Sequence, residues 1–198
     1  MIRAATATAA RERILSAAFA VFGRYGFKRT SMEDIAEEAG VSRAALYLQF
    51  RNKEDIFREL ATGLQERCLS SAEAALEGKG PLAARLQAAV EGKTLPMIEI
   101  NNTSQHGAEL LDERNRLCGD VATESDQRFL RMLRKTLERA DAAGEIDLAG
   151  AGLTATEAAD LFVSAVHGLK GNDNITTAAY KRRVAAFVRV FVVGCASS

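Results

Sequence analysis

Proline occurs at only two positions in this chain of 198 residues, Pro81 and Pro96, and this scarcity limits the possible folds more than any other feature. Proline has the poorest helix propensity and alanine the best, and alanine is abundant here. The strict alternation of apolar and polar residues that is typical of strands is absent. The sequence therefore predicts an all-α protein with about nine helices.

Glycine, proline and capping residues set the limits of the predicted helices. Pro96 is expected to break or kink its segment, and the run 77–81 is expected to form a loop. The predicted helical segments cover residues 8–25, 31–38, 43–49, 53–77, 82–95, 97–101, 104–117, 119–143, 154–170 and 176–194. A chain of this length fits one helical domain or a small domain joined to a larger one, because domains hold about 100 to 200 residues.

The charges are balanced over the whole chain, with 26 Lys and Arg against 26 Asp and Glu. Residues 1–60 carry a small excess of positive charge, with ten basic and eight acidic side chains. Net charge therefore argues neither for nor against nucleic acid as a partner, and local charge has to decide.

The three cysteines, Cys68, Cys118 and Cys195, show neither the even number of a secreted disulfide framework nor a CxxC spacing. The N-terminal residues lack the apolar core of a signal peptide, and no apolar run approaches the roughly 20 residues that span a membrane. We therefore expect a cytoplasmic protein with reduced thiols and without a membrane partner.

The stretch EEAGVSRAALYLQF, residues 37–50, has the pattern of two helices joined by a tight turn. Ala36 is small enough for the helices to approach, Gly40 accepts the backbone angles of the turn, and Leu46 fills the space between the helices. Ile35, Val41 and Phe50 are expected to complete a small core with Phe19 and Phe22 of the first helix. A helical hairpin inside any α bundle uses the same residues, so spacing alone leaves DNA binding open.

Residues 14–57 carry several such motifs at fixed distances: an apolar helix that ends in YG, then TSMEDIAEEAGVSRAALYLQF, then NKEDIF. This run, about a quarter of the chain, resembles the DNA-binding domain of the TetR (tetracycline-repressor-like) family of transcriptional regulators. The resemblance implies a helix-turn-helix DNA-binding domain at residues 1–52. It also implies a helical effector-binding and dimerisation domain at residues 53–198.

The resemblance assigns residues 43–49 to a recognition helix in the major groove. Arg43, Ala44 and Gln49 would approach base edges, since arginine suits guanine, glutamine suits adenine and alanine can contact the thymine methyl. Leu48 departs from a common family pattern that has histidine or an aromatic residue there. The residues implied to lie along the phosphates are Lys28, Arg29, Thr30, Ser31, Ser42, Tyr47 and Lys53.

For the second region the resemblance implies a small effector and a homodimer. Two apolar helices near the C-terminus are predicted to pack against their symmetry mates as a four-helix bundle, with interface residues Leu161, Phe162, Ala165, Val166, Leu169, Val184, Phe187, Val188 and Phe191. Few aromatic residues follow residue 57, so a largely aliphatic pocket and a lipophilic effector are expected. His106, Glu109, Phe129 and Phe162 are the candidate ligand-binding residues.

Three other functions stay open at this point. A helical adaptor could use the hairpin for protein contacts. A thiol-responsive regulator could use Cys68, Cys118 or Cys195, and a metal-responsive one could use His106, Glu109 and His167. No phosphate-binding glycine loop, HExxH motif or catalytic triad stands out, so we expect neither an enzyme nor a cofactor.

Overall fold

A computed structural model of the chain describes residues 2–171 and 175–196, with side chains described from residue 9 onward. Within these residues all regular secondary structure is helical, as predicted, with eight helices in place of the nine or so expected. Their bounds are α1 Ile2–Tyr25, α2 Met32–Ala39, α3 Arg43–Tyr47, α4 Lys53–Leu76, α5 Leu82–Thr103, α6 Gly107–Ala142, α7 Ala155–Leu169 and α8 Thr177–Gly194. The chain divides into two compact units, which are described separately.

Side-chain caps begin the helices where the sequence predicted them. The Ser31 hydroxyl accepts from the backbone N–H of Asp34, and the Asp34 carboxylate accepts from the backbone N–H of Ser31, which forms a reciprocal capping box. Thr154 and Glu157 form the same arrangement at α7. The side chains of Ser42 and Asn52 accept N–H bonds at the starts of α3 and α4.

Two helix breaks that the sequence predicted are not helix ends in the structure. Pro96 does not end its helix: α5 continues to Thr103, and Val90 and Ile98 on either side of the proline are buried. The predicted helices 104–117 and 119–143 form one element, α6, in which Cys118 has the non-helical angles φ −134° and ψ 25°. At this bend the carbonyl of Leu117 accepts a hydrogen bond from Arg58 Nη1 of α4 at 2.9 Å.

Unit 1 contains the residues up to Leu64 together with Ile100–Ala122. Its core joins Phe22, Phe27 and Phe57, whose ring centroids lie 5.1 to 5.7 Å apart. Ala36 and Leu46 are buried and Gly40 has φ +62°, so the predicted packing of the hairpin is confirmed. The prediction for Phe19 is wrong: its side chain is 54% exposed, because the helix turns it away from the stripe formed by Ile14, Ala18 and Phe22.

Unit 2 contains Gln65–Glu99 and the residues from Thr123 onward. Its core includes Leu86, Leu133 and the aromatic trio Phe162, Phe187 and Phe191. The glycine-rich run 142–154 between α6 and α7 folds into this core through Ile146 and Leu148. Its backbone is also tied to the end of α8, since Asp147 N donates to Cys195 O at 2.7 Å.

Candidate nucleic-acid interface

The third helix presents a short polar and aromatic surface. Arg43 and Ala44 are exposed at its first turn, and the Tyr47 side chain is 44% exposed one turn later. The Arg43 guanidinium lies over the Tyr47 ring, 5.6 Å from its centroid, and pairs with Glu33 of α2 at 2.6 Å. An exposed pair of this kind contributes little to stability, so DNA could replace Glu33 as the partner of Arg43 at small cost.

Leu48 is the most exposed large apolar side chain among those described, at 85% of its surface. It is the C-cap residue of α3, next to Tyr47. Leucine at this position can offer the methyl group of thymine an apolar contact but no hydrogen bond. The departure that Leu48 represents in the sequence therefore places an apolar tip at the end of the predicted recognition helix.

Gln49 is held by a residue that sequence reasoning missed. Arg11 of α1 donates from Nη1 to the Gln49 carbonyl at 3.2 Å and approaches Gln49 Oε1 at 3.4 Å. The same guanidinium binds both carboxylate oxygens of Glu59 and lies 4.3 Å from the centroid of the Phe50 ring. Its partners lie 38 and 48 residues away in sequence, so no local pattern signals this role.

The turn that joins α1 to α2 is held by Lys53. Its ammonium donates to the carbonyl oxygens of Phe27 at 2.8 Å, Lys28 at 3.2 Å and Thr30 at 2.9 Å. It also lies 4.6 Å from the centroid of the Phe27 ring. An ammonium group has three N–H donors, and these carbonyls account for all three.

The hydroxyl groups predicted to face phosphates also have partners inside the protein. Thr30 is buried and donates to the Gly26 carbonyl at 2.7 Å. Ser31 donates to Asp34 Oδ2 at 2.8 Å, and hydrogen bonds from Ser31 hold the pKa of Asp34 below its usual value. The side chains of Lys28 and Arg29 are exposed on the same turn, and Lys28 Nζ lies 3.9 Å from Glu113.

A segment of unit 1 from the second half of the chain packs on this turn. Glu109 Oε1 accepts the backbone N–H of Lys28 at 2.8 Å, and Glu109 Oε2 lies 3.4 Å from His106 Nδ1. Gly26 has φ +84°, and a Cβ atom there would overlap Glu109 Oε2. The turn therefore requires glycine at residue 26 both for its backbone angles and for the approach of Glu109.

The four candidate ligand-binding residues do not form one cluster within either unit. His106 and Glu109 belong to unit 1, whereas Phe129 and Phe162 are buried in the core of unit 2. Within the described residues, no group of three or more His, Cys, Asp or Glu side chains is arranged to hold a metal ion. The described helices also include none with the length and apolar character needed to cross a membrane.

Most of the predicted dimer-interface residues have a place in the protomer's own core. Phe162, Val166, Val184, Val188 and Phe191 are buried there, and Ala165, Leu169 and Phe187 are partly buried. Leu161 is exposed, and so are Val190 and Val193 of α8, which the sequence reasoning left out. The apolar residues of α8 run around much of the helix, so the pattern alone does not separate its inner face from its outer face.

The three thiols should be poorly reactive in the native protein. Cys68, Cys118 and Cys195 are buried, and burial raises the pKa of each thiol above its usual value, so less thiolate is present at a given pH. We expect a disulfide reagent at pH 8 to modify all three in guanidinium and almost none in buffer. Fast modification of one cysteine in buffer would instead favour the thiol-responsive alternative.

Comparisons with known proteins agree with this geometry. The family described as "Bacterial regulatory proteins, tetR family" matches residues 14–60. The transcriptional regulator YfiR of Bacillus subtilis is 50% identical over 54 residues, which cover 27% of this chain and 26% of YfiR, so the chain matches about a quarter of that relative's length. A second regulator of that organism, YhgD, is 24% identical over 160 residues, which cover 79% of this chain and 82% of YhgD.

The fold similarity extends over nearly the whole chain. SmeT, the repressor of the Stenotrophomonas maltophilia multidrug efflux pump SmeDEF, superposes with a TM-score of 0.67 at 20% identity. The superposition covers 95% of this chain and 91% of SmeT. The capped hairpin of α2 and α3 thus lies within a region that matches the TetR family of bacterial regulatory proteins, and the all-helical fold of the described residues is similar to that of SmeT.

Proposed function

We propose that the protein is a homodimeric transcriptional repressor that binds a palindromic DNA operator in the cytoplasm and releases it when a small lipophilic effector binds. The observation that carries the proposal is the exposed group of Arg43, Ala44, Tyr47 and Leu48 on a capped hairpin with a buried core. Side chains on a recognition helix read base edges only when the helix itself is held rigidly.

Base reading in this proposal depends on α3. Arg43 would exchange Glu33 for the O6 and N7 acceptors of a guanine, and Leu48 would contact a thymine methyl. Phosphate contacts would come from groups that lie on the surface, namely Lys28, Arg29, Ser42 and Tyr47. Thr30 and Lys53 would act indirectly, since their donors hold the turn before α2.

A titration of fluorescent promoter DNA from beside the protein's own gene, over a range of salt concentrations, tests the proposal. We expect Arg43→Ala to cost about 1 to 3 kcal/mol and to relax the preference at one base pair of each half-site. Glu33→Ala is the matched control, because it removes the partner of Arg43 and should leave that base preference in place. Failure of the wild-type protein to bind any selected palindrome would contradict DNA binding and favour an adaptor.

Pairing through α7 and α8 would place two copies of α3 in successive major grooves, about 34 Å apart. A side chain that is already buried in the protomer gains little from a partner, so the proposed contact rests on Leu161, Val190 and Val193. Val190 and Val193 expose 72% and 74% of their surface, and a second copy would cover this apolar area.

The double substitution Val190→Glu and Val193→Glu should therefore yield monomers in light scattering and weaken operator binding at least tenfold. Four introduced carboxylates per dimer cannot be desolvated without a large cost. Lys135→Glu, an exposed position on α6, serves as the control and should leave the dimer intact. A dimer that persists in the double variant would place the interface elsewhere.

Release of the operator requires the effector to bind one conformation better than the other, since a ligand with equal affinity for both shifts nothing. α4 and α6 each contribute residues to both compact units. A shift of either helix on effector binding would therefore change the spacing of the two recognition helices.

A further inference from the structure

Three polar side chains from three different helices are buried together in unit 2. Gln65 of α4, Lys93 of α5 and Ser125 of α6 are each at most 9% exposed. Gln65 Oε1 accepts from Ser125 Oγ at 2.9 Å and from Lys93 Nζ at 3.3 Å. The ammonium also donates to Asp126 Oδ1 at 2.9 Å. These contacts place a cation inside a largely apolar core.

The Lys93 ammonium is not fully satisfied by these partners. It has three N–H donors, and the hydrogen bonds of the described residues account for two of them. Its anionic partner, Asp126, lies at the border of the core, where 44% of its side chain is exposed. The other oxygen of Asp126 lies 3.8 Å from His167 Nε2 of α7. One carboxylate thus joins α5 to α7.

A second buried donor lies in the core of unit 2. The Tyr180 side chain of α8 is 0% exposed, and its hydroxyl makes no hydrogen bond within the part of the chain that the structure describes. The Thr94 side chain of α5, on the residue that follows Lys93, is near enough to interact with this hydroxyl. Burial raises the pKa of Tyr180, and the nearby Thr94 hydroxyl partly opposes this rise. A buried hydroxyl without a partner destabilises a protein and calls for an explanation.

We infer that the effector of the proposed repressor is a lipophilic carboxylic acid, bound as its carboxylate by the Lys93 ammonium and the Tyr180 hydroxyl. A carboxylate accepts several hydrogen bonds, so it could bind both the ammonium carried by α5 and the hydroxyl carried by α8. Burying the Lys93 ammonium costs free energy that its pairing with the partly exposed Asp126 seldom repays, so its presence in the core favours a role in binding. The apolar part of the acid would contact the surrounding core side chains of unit 2.

This inference rests on the proposed function and explains how the effector would cause the protein to release its operator. A ligand carboxylate at Lys93 competes with Asp126, which then loses its link to α5 and keeps only the weaker contact with His167. Asp126 belongs to α6, whose other end, residues 107–122, lies in unit 1. The acid would therefore act on the helix that also carries Glu109, the acceptor of the Lys28 backbone N–H.

The test uses two matched probe pairs, octanoate with octan-1-ol and 4-tert-butylbenzoate with 4-tert-butylbenzyl alcohol. Calorimetry gives the affinity of each probe, and the fluorescent operator titration gives the release of DNA. At least one carboxylate should bind tenfold or more tightly than its alcohol and release the operator. Lys93→Met should abolish this preference, and Tyr180→Phe should weaken carboxylate binding about tenfold, because each removes one donor to a charged acceptor.

Two variants exclude misfolding of the protein and binding of the probes at its surface as explanations of the result. Tyr180→Phe removes only the hydroxyl that lacks a partner, so the variant should be at least as stable as the parent. Arg131→Met removes an exposed cation from a shallow surface cleft on α6 and α7 and should leave the preference unchanged. A preference lost in Arg131→Met but kept in Lys93→Met would move the site to that cleft and overturn the inference.

The remaining outcomes separate this inference from the proposed function. Equal affinity of the acids and alcohols, or no binding of any probe by a protein that still binds its operator, would overturn the carboxylate inference alone. A protein that binds carboxylates through Lys93 and Tyr180 but binds no operator would contradict the proposed repressor function instead.

Discussion

Lys53→Met should lower the free energy of unfolding by about 2 to 4 kcal/mol, because hydrogen bonds from a charged group contribute about 1.5 to 3 kcal/mol and three carbonyls lose their donor together. Operator binding should weaken at least tenfold for every sequence, since the turn before α2 is no longer held. The dependence of binding on salt should stay unchanged, because an ammonium bound to carbonyls releases no counterion from DNA.

Arg29→Ala is the control for this result. Its side chain is exposed on the same turn, so its loss should leave stability unchanged and reduce the salt slope by about one. Urea unfolding and titrations at several salt concentrations measure both quantities. If Lys53→Met reduces the salt slope and leaves stability intact, Lys53 contacts phosphate directly, as the resemblance alone implied.

Gly26→Ala should be the other variant with a large effect. Alanine at φ +84° costs about 1 to 2 kcal/mol through its backbone angles. Its Cβ would also overlap Glu109 Oε2 and lie 3.0 Å from His106 Nδ1. Glu109 must then withdraw from the backbone N–H of Lys28, which adds about 1 to 3 kcal/mol for a lost hydrogen bond.

Gly40→Ala separates the two causes. Gly40 has φ +62°, and a Cβ there would meet no atom within 4 Å, so only the cost of the backbone angles should appear. Thermal unfolding of both variants, and of Gly26→Ala combined with Glu109→Ala, measures the difference. Equal destabilisation by the two glycine substitutions would show that the approach of Glu109 to the turn contributes nothing.

Much of the DNA-binding domain could be predicted from the sequence, because its helix caps and turns depend on residues that are close together in the chain. The caps at Ser31, Ser42 and Asn52 and the turn at Gly40 depend on residues within a few positions of one another. Contacts of Arg11 and Glu109 with the hairpin and its turn could not be predicted in this way, since dozens of residues separate the partners. Phe19 was misplaced because a stripe of apolar residues defines the inner face of a helix only approximately.

The dimer and effector predictions show the same limit. Apolar spacing identified α7 and α8 as packing helices, but burial inside the protomer and contact with a second copy require the same residue types. Lys93 and Tyr180 were not recognised as site candidates, because a lysine or a tyrosine in a helix is usually partly solvated. The burial of Lys93 and of the Tyr180 hydroxyl is seen only once the helices of unit 2 are packed.

The sequence by itself determined that the chain is helical, that a capped hairpin lies at residues 31–50, and that this hairpin resembles those of a DNA-binding family. These properties follow from propensity, capping and glycine angles, which act over a few residues. The tertiary structure decided which donors are bound and where: Lys53 and Thr30 hold the turn, Lys93 is buried in unit 2 with two of its three N–H donors bound, and the Tyr180 hydroxyl is buried without a close acceptor. Hydrogen-bond satisfaction depends on which distant groups are brought together, and no local pattern in the chain specifies them.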